Sequence, residues 1–361
     1  MKNRIYSQLA MAGAVLAMGL SSCSSDTKGD KAADNSADKQ LLGAGSTFGY
    51  PIYSKMFAEY GKIDSTQTNY QSIGSGGGIK QFMSKTVDFG ASDAYLSDED
   101  ITKCPAAPIE FPTCLGAVVV SYNLPDNPEL KMTPDIIAGI FMKTISKWND
   151  PKIKAENPDA KLPDQEITVV HRSDGSGTTF IFTDYLAKVS ADYKTKIGAG
   201  KSVNWPDGEI GGKGNEGVAG VIKQTPGAIG YIELTYALQN SMVFAQVKNA
   251  AGNYIKASLE TTSNCANIDI PADTRITITN SSADQGYPIS SFTWIMIYKE
   301  QNYDNRTKGK ATTLLKEMWW MIHAGQQFCT PLNYAPLPAK AVAADEVLLK
   351  SVTYGGQPIL Q

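Results

Sequence analysis

The sequence predicts an α/β protein with mostly parallel sheets, because apolar strand patterns alternate with helical patterns along the chain. Short apolar runs, typical of strands buried on both faces, lie at residues 117–122, 167–170, 228–232 and 292–298. Apolar residues at helical spacing lie within residues 53–60, 181–189 and 313–322. With 361 residues, the chain is long enough for two domains.

The composition argues against several classes of protein. Hydrophobic residues make up 42% of the chain and charged residues 19%, which is ordinary globular usage and not that of a disordered or fibrous protein. The formal net charge of −3 argues against a nucleic-acid-binding protein, which needs a basic face. The two histidines, His171 and His323, are too few for a histidine-rich metal site, and we expect no metal or other cofactor.

The N-terminus has the pattern of a lipoprotein signal. Two basic residues precede a run of small and apolar residues at 10–20, which is too short to span a bilayer. The letters LSSC at residues 20–23 then resemble the bacterial lipobox. We predict a signal peptide at 1–22 and a lipid on Cys23; ordinary cleavage beside an incidental cysteine is the alternative. The exported protein would be anchored to a bacterial membrane, in the periplasm or at the cell surface.

A tether is predicted between the lipid and the folded part, at residues 23–40. Residues 24–39 contain no large apolar side chain, so they cannot bury enough surface to offset the entropy of ordering. We therefore expect a flexible segment and a folded protein from residue 41 onward.

Four further cysteines allow two disulfides in an exported protein: Cys104, Cys114, Cys265 and Cys329. Three pairings are possible. Pairing Cys104 with Cys114 would close a short loop and leave Cys265 with Cys329, whereas buried free thiols are the alternative. The absence of CxxC spacing from the sequence makes zinc binding and thioredoxin-type chemistry poor interpretations.

Three clusters of glycine and hydroxyl residues run directly into helical patterns. They are residues 43–48 (GAGSTF), 74–78 (GSGGG) and 174–179 (DGSGTT). A helix N-terminus offers unpaired N–H donors and a partial positive charge, glycine lets an anion approach the backbone, and serine or threonine adds hydroxyl donors. Three such clusters in one chain predict that they converge on one oxyanion.

The sequence matches two nucleotide-binding motifs only in part. Asp207 stands where a Walker A motif needs its first glycine before Gly212 and Lys213. Residues 212–217 (GKGNEG) fit G-x-G-x-x-G but do not follow an apolar strand, so we interpret them as a loop that enters a helix at 218–223.

Two charged residues sharpen the prediction of an anion site. Arg172 follows an apolar run, and its guanidinium can bind two oxygens of a tetrahedral anion. Asp93 ends the segment VDFGASD, and its carboxylate can accept the proton of hydrogen phosphate, whereas sulfate has no proton to donate and would be repelled. Taken singly, each residue could instead form a surface ion pair or cap a helix.

Together these motifs resemble the phosphate-binding proteins of bacterial ABC-type phosphate transporters, from about residue 42 to the C-terminus. The signatures are residues 43–48 (GAGSTF), 73–78 (IGSGGG), 87–93 (VDFGASD), 172–178 (RSDGSGT), 211–217 (GGKGNEG) and 226–231 (PGAIGY). The chain departs from this family at Gly49, where proline is common, in its four cysteines, and around residues 263–271.

The resemblance implies a set of phosphate-site residues. They are Ser46, Thr47, Phe48, Ser75, Asp93, Arg172, Asp174, Ser176, Gly177 and Thr178. In this set Asp93 would accept the phosphate proton and Asp174 would hold Arg172, while the loop residues would supply N–H and hydroxyl donors.

The resemblance also implies a type II periplasmic-binding-protein fold, with two α/β lobes, two crossings between them and the ligand in the cleft. Lobe 1 would comprise residues 41–116 and 292–361, and lobe 2 residues 117–291. The implied partners are inorganic phosphate and the permease and ATPase subunits of an ABC importer, and no enzymatic activity is expected.

Three other functions stay open, one of which is a second role as a phosphate-dependent adhesin or signalling component. A receptor for sulfate or molybdate would need the same donor-rich loops, although Asp93 disfavours an unprotonated anion. A hydrolase with Ser176 as its nucleophile would have His171 as the nearby base, but the sequence lacks the G-x-S-x-G elbow around Ser176.

Overall fold

The computed structural model describes residues 36–360, so the predicted signal peptide and Cys23 lie outside the described residues. The strands are β1 (Gln40–Gly45), β2 (Gln67–Ser72), β3 (Phe89–Ser92), β4 (Pro108–Tyr122), β5 (Lys131–Met132), β6 (Thr168–Arg172), β7 (Ile210–Gly212), β8 (Ala228–Glu233), β9 (Gln246–Lys248), β10 (Tyr254–Ile255), β11 (Ser290–Tyr298), β12 (Thr353–Tyr354) and β13 (Gln357–Pro358). The helices are α1 (Tyr50–Asp64), α2 (Ser75–Met83), α3 (Asp98–Lys103), α4 (Pro134–Phe141), α5 (Pro151–Glu156), α6 (Gly177–Val189), α7 (Ala191–Lys196), α8 (Gly214–Gln224), α9 (Leu234–Gln239), α10 (Leu259–Ser263), α11 (Lys308–Ile322) and α12 (Ala339–Lys350).

Eight strands form one mixed sheet in the order β2-β1-β3-β11-β4-β8-β6-β7. Three strands at each end are parallel, namely β1 with β2 and β3, and β6 with β7 and β8. The two central strands, β11 and β4, are antiparallel to each other and to their outer neighbours. The prediction of mostly parallel strands is therefore correct at both ends of the sheet, whereas the central strands are antiparallel, because an apolar run does not encode strand direction.

The two central strands join the two parallel halves of the sheet. They pair along their length, from Ser290 opposite Ala117 to Tyr298 opposite Pro108. The chain thus passes between the halves along β4 and β11, which fits the predicted two-lobe fold with two crossings. The predicted lobe boundaries fall inside these strands, and their positions stay a prediction.

Strand β4 is longer than the predicted run at 117–122, because its first half carries two prolines and a glutamate that obscure the apolar pattern. Pro112 lies opposite Trp294, beside an irregularity in the pairing with β11, and such irregularities tolerate proline within a sheet. The other predicted strands and helices are confirmed. The segment GKGNEG enters helix α8 as predicted, although α8 begins at Gly214, four residues earlier than the apolar pattern indicates.

The fold brings the starts of four helices to one edge of the sheet. Helices α1, α2, α6 and α8 follow β1, β2, β6 and β7 after connections of a few residues. Their N-termini consequently lie at the carboxyl ends of these parallel strands, where open α/β sheets bind their ligands. Within residues 36–360, no helix combines the length and apolar character needed to cross a membrane.

Candidate anion-binding site

The predicted glycine-rich loops meet at this edge of the sheet. Residues 46–49 join β1 to α1, residues 73–74 join β2 to α2, and residues 173–176 join β6 to α6. The N–H of Gly76 donates to the carbonyl of Gly175 at 2.8 Å, so the second and third clusters are in direct backbone contact. The N–H of Gly74 donates to the carbonyl of Gly45 at 2.8 Å, so the first cluster contacts the second. The three clusters therefore meet, and their binding of one anion stays a prediction.

Asp93 directly follows β3, and hydroxyl donors surround its buried carboxylate. Ser46 and Thr293 donate to Oδ1, Thr293 at 2.8 Å, and Ser75 donates to Oδ2 at 3.3 Å. Burial raises the pKa of Asp93 from 3.8 to about 6, and the hydroxyl donors and the charge of Arg172 limit the rise. Asp93 is therefore ionised at neutral pH and becomes protonated in mildly acidic solution.

Arg172 ends β6, and Asp174 holds its guanidinium in one orientation. Nε and Nη2 of Arg172 donate to the two oxygens of Asp174 at 2.8 and 2.6 Å, and Nη1 donates to the hydroxyl of Thr178 at 3.3 Å. Burial tends to raise the pKa of Asp174, but Arg172 and the N–H of Gly214 outweigh this and lower it. The predicted role of Asp174, to position Arg172, agrees with this geometry.

Gly177 is the first residue of α6, and its lack of a side chain lets two loops touch. Its N–H donates to the hydroxyl of Ser75 at 3.0 Å. A Cβ at position 177 would lie 2.5 Å from that hydroxyl and 2.6 Å from Oδ2 of Asp93. Close approach therefore requires glycine here, and the N–H that was predicted to bind the anion already has an acceptor.

Four backbone N–H groups at the site have no acceptor within residues 36–360; they belong to Thr47, Phe48, Ser75 and Thr178. All four residues are at most 2% exposed. Ser75 and Thr178 lie in the first turns of α2 and α6, where N–H groups lack intrahelical partners and the helix dipole is positive. Because buried N–H groups are nearly always paired, this set of donors indicates a site for an anion.

Two of the predicted ligands have other partners in the structure. Ser46 donates its N–H to the carbonyl of Ala91 at 2.9 Å and its hydroxyl to Asp93. The hydroxyl of Ser176 caps α6 by accepting the N–H of Thr179 at 3.0 Å. Ser46 therefore orients Asp93 and Ser176 fixes the start of α6, and their predicted direct contacts with an anion stay predictions.

The structure adds two residues that the sequence analysis does not find, Thr293 and Asn215. Thr293 lies in the apolar strand β11, 200 positions from Asp93, and no local signal marks it. Asn215 lies in the signature GGKGNEG, for which the sequence predicts no role in the site. Its side chain donates to the hydroxyls of Thr47 at 2.9 Å and Thr178 at 3.1 Å.

His171, the base proposed for a serine hydrolase, is not paired with Ser176 in the structure. Nδ1 of His171 lies 2.9 Å from the carbonyl of Arg172, and its ring stacks on Trp205 with the centroids 5.3 Å apart. Within the described part of the chain, neither histidine forms a hydrogen bond with Ser176. Ser176 is a helix cap without an activating base.

The four cysteines among residues 36–360 are free thiols. Cys114 is buried in β4, whereas Cys104 follows α3 and is only partly buried. Cys265 donates to the carbonyl of Tyr287 at 3.1 Å. The structure therefore does not pair Cys104 with Cys114, because the intervening stretch of β4 from residue 108 carries the chain away by about 20 Å. In the same part of the chain, no cluster of histidine, cysteine, aspartate and glutamate could hold a metal ion.

Comparison with known proteins assigns the chain to a family. A model described as the PBP superfamily domain matches residues 30–319. The chain is 44% identical over 316 residues to a phosphate-binding protein PstS of Xylella fastidiosa, covering 86% of this chain and 85% of the relative. A phosphate-binding protein PstS of Haemophilus influenzae is 41% identical over 308 residues, covering 84% of this chain and 90% of the relative.

Solved structures support the same fold. A high-affinity periplasmic phosphate-binding protein (PfluDING), solved with bound phosphate, has a TM-score of 0.69 at 21% identity and covers 85% of this chain and 93% of its own. A phosphate-binding protein from Stenotrophomonas maltophilia has a TM-score of 0.68 at 19% identity, covering 88% and 96%. The structural likeness gives the fold, the sequence identity gives the family, and the chain therefore belongs to the PstS family of phosphate-binding proteins within the PBP superfamily.

Proposed function

We propose that this chain binds one inorganic phosphate ion in the site described above and delivers it to an ABC-type phosphate importer. The observation that carries this proposal is the combination of unpaired, buried N–H donors with one buried carboxylate, Asp93. The donors and Arg172 favour an anion, and the carboxylate favours an anion that itself carries a proton.

Phosphate meets both requirements, because its protonated forms offer several acceptor oxygens and at least one donor. Asp93, with a pKa of about 6, is ionised at neutral pH and accepts that donor's hydrogen bond. Sulfate and molybdate would use the same N–H groups but would place an unprotonated oxygen against a negative carboxylate. Receptors for these anions are therefore the weaker candidates.

The transport role rests on the family and on the predicted topology. Relatives over most of the chain's length are named phosphate-binding proteins, and we propose that permease and ATPase subunits of an importer are the partners. Lobes with boundaries near residues 116 and 291 would close around phosphate and exclude water, which strengthens each hydrogen bond to it. A solute receptor of this kind needs no catalytic residues.

Export and anchoring complete the proposal. We propose that the signal peptide at 1–22 directs export and that a lipid on Cys23 holds the protein at a membrane through the tether. Cys23→Ser is expected to move the processed protein from the membrane fraction to the soluble fraction. A processed variant that still fractionates with membranes would contradict the lipid anchor and leave phosphate binding untouched.

Titration calorimetry of the chain without its signal peptide tests the binding function. We expect one phosphate per chain, competition by arsenate, and weak or no binding of sulfate, molybdate and phosphate monoesters. Arsenate resembles phosphate in shape and protonation, whereas an ester group would collide with the closely packed loops. Sulfate binding as tight as phosphate binding would support the alternative oxyanion receptor, and absence of phosphate binding would refute the proposal.

A further inference from the structure

Asn215, near the start of α8, links two hydroxyl groups that come from opposite sides of the site. Its Nδ2 donates to Oγ1 of Thr47 at 2.9 Å, in the loop after β1, and to Oγ1 of Thr178 at 3.1 Å, in the first turn of α6. The amide carries two N–H hydrogens, so each hydroxyl can receive one. The residue is fully buried, so water does not compete for these bonds.

The orientation of this amide is fixed from its other end. The N–H of Glu233, the last residue of β8, donates to Oδ1 of Asn215 at 2.9 Å. A flipped amide would direct its NH₂ group at this N–H and leave two donors facing each other. The backbone of β8 therefore holds the NH₂ group of Asn215 toward Thr47 and Thr178.

Both threonine hydroxyls consequently have their acceptor capacity filled. Oγ1 of Thr47 also accepts the backbone N–H of Asn215 at 3.3 Å, and Oγ1 of Thr178 also accepts Nη1 of Arg172 at 3.3 Å. A hydroxyl has two lone pairs and one hydrogen. With two donors directed at each oxygen, each hydroxyl can act toward a further group only through its own hydrogen.

We propose that Asn215 is a positioning residue that turns the hydroxyls of Thr47 and Thr178 into obligatory donors to the bound anion. This inference rests on the proposed phosphate function. It adds the reason why the hydroxyls of Thr47 and Thr178 donate their hydrogen bonds to phosphate. A freely rotating hydroxyl could present a lone pair to an approaching anion, whereas a hydroxyl fixed by Asn215 cannot. With these bonds formed, as in the structure described here, the site is set for an anion.

Asn215 could instead have a purely structural role, and one substitution distinguishes this role from the positioning of the two hydroxyls. The bonds of Asn215 also tie α8 to the loop after β1, so its loss could weaken binding only by loosening this contact. Asn215→Asp separates the two roles, because a carboxylate is nearly the same size and still accepts the N–H of Glu233. It would accept hydrogen bonds from Thr47 and Thr178, so the contact would persist while both hydroxyl hydrogens point away from the anion.

N215D also adds a negative charge, and the effect of this charge is measured separately in a protein that lacks both threonine hydroxyls. In a Thr47→Val, Thr178→Val variant no hydroxyl can be reversed, so N215D acts there only through its charge. We would measure phosphate affinity by calorimetry in all four proteins, and thermal unfolding without phosphate to check folding. We expect N215D to lower the affinity at least tenfold more in the threonine background than in the valine background.

Equal losses in both backgrounds would overturn the inference while leaving phosphate binding established. Failure of the parent protein to bind phosphate would instead refute the proposed function. If N215D does not fold, Asn215→Ala replaces it, and the affinity loss is again expected in the threonine background alone. A loss of the same size in the valine background would then overturn the inference.

Discussion

The hydroxyl of Thr293 donates to Oδ1 of Asp93 at 2.8 Å, so the crossing strand β11 holds the carboxylate that follows β3. This bond favours the ionised form of Asp93 and is one of the contacts that limit the rise of its pKa. A residue remote from the glycine-rich loops thus contributes to the pH range in which the carboxylate can accept a hydrogen bond.

Thr293→Val should raise the pKa of Asp93 above its value of about 6, because burial remains while one stabilising donor is lost. The pH below which sulfate begins to compete with phosphate should rise accordingly. Competition calorimetry between pH 5 and 8 measures this midpoint. Thr262→Val is the control, because Thr262 is equally buried and lies in α10. A midpoint that is the same in both variants would show that Thr293 does not tune Asp93.

Gly177→Ala should weaken phosphate binding by at least about 1.4 kcal/mol, or tenfold. The new Cβ would lie 2.6 Å from Oδ2 of Asp93 and 2.5 Å from the Ser75 hydroxyl, so either Asp93 or the start of α6 must move. Gly220→Ala in α8 is the matched control, because a Cβ there meets no atom within 4 Å. Alanine in that helix should stabilise the fold by about 1 kcal/mol and leave the affinity unchanged. Equal affinities in the two variants would contradict the close approach.

Arg172→Ala should lower the affinity for phosphate by about 2–5 kcal/mol, because it removes a buried charge-assisted partner and leaves the carboxylate of Asp174 unpaired. Arg275→Ala is a suitable control, because Arg275 forms its ion pairs with Asp98 and Asp273 at the partly exposed surface. Calorimetry at fixed ionic strength compares the two variants. An unchanged dissociation constant for Arg172→Ala would place Arg172 outside the site.

The sequence predicts the parts of the site that are local and misses those that depend on distant pairing. The loops and Arg172 are evident because glycine, hydroxyl and charged residues cluster within a few positions. Thr293 and Asn215 reach their partners across 200 and 168 positions, and each lies in a segment with another obvious purpose, an apolar strand or a helix start.

The fold shows the same division between local and distant information. Strands and helices follow from apolar periodicity, and the predicted ones are observed. The antiparallel direction of β4 and β11 depends on which strands become neighbours, and local periodicity does not contain this information. The pairing of Cys104 with Cys114, one of the possibilities that the sequence leaves open, is not observed. Closeness in sequence is not closeness in space when an extended strand intervenes.

Asp93→Asn should retain phosphate binding and lower the preference for phosphate over sulfate at least tenfold at pH 7. The asparagine removes the negative charge that repels sulfate, and its NH₂ group can donate to a sulfate oxygen. Phosphate gains from the lost repulsion but loses a charged acceptor for its proton, so its affinity should change less. In the parent protein the preference should also decline as the pH falls below about 6, where Asp93 becomes protonated, whereas the variant should lack this dependence.

Asp93→Asn should also change the stability of the protein without phosphate. The pKa of Asp93 is raised on folding from 3.8 to about 6, so between these values the folded chain binds more protons than the unfolded chain. Stability without phosphate should therefore fall as the pH rises through this window, by at most about 3 kcal/mol for this one group. Asp93→Asn removes the cost of ionising a buried carboxyl, so the variant without phosphate should unfold at a higher temperature than the parent at pH 7. Calorimetry and thermal unfolding at pH 5 and pH 7 check both effects. A variant that is less stable than the parent at pH 7 would show that ionising the buried Asp93 has no net cost. A variant that still discriminates against sulfate would show that selectivity resides in the donor loops and not in Asp93.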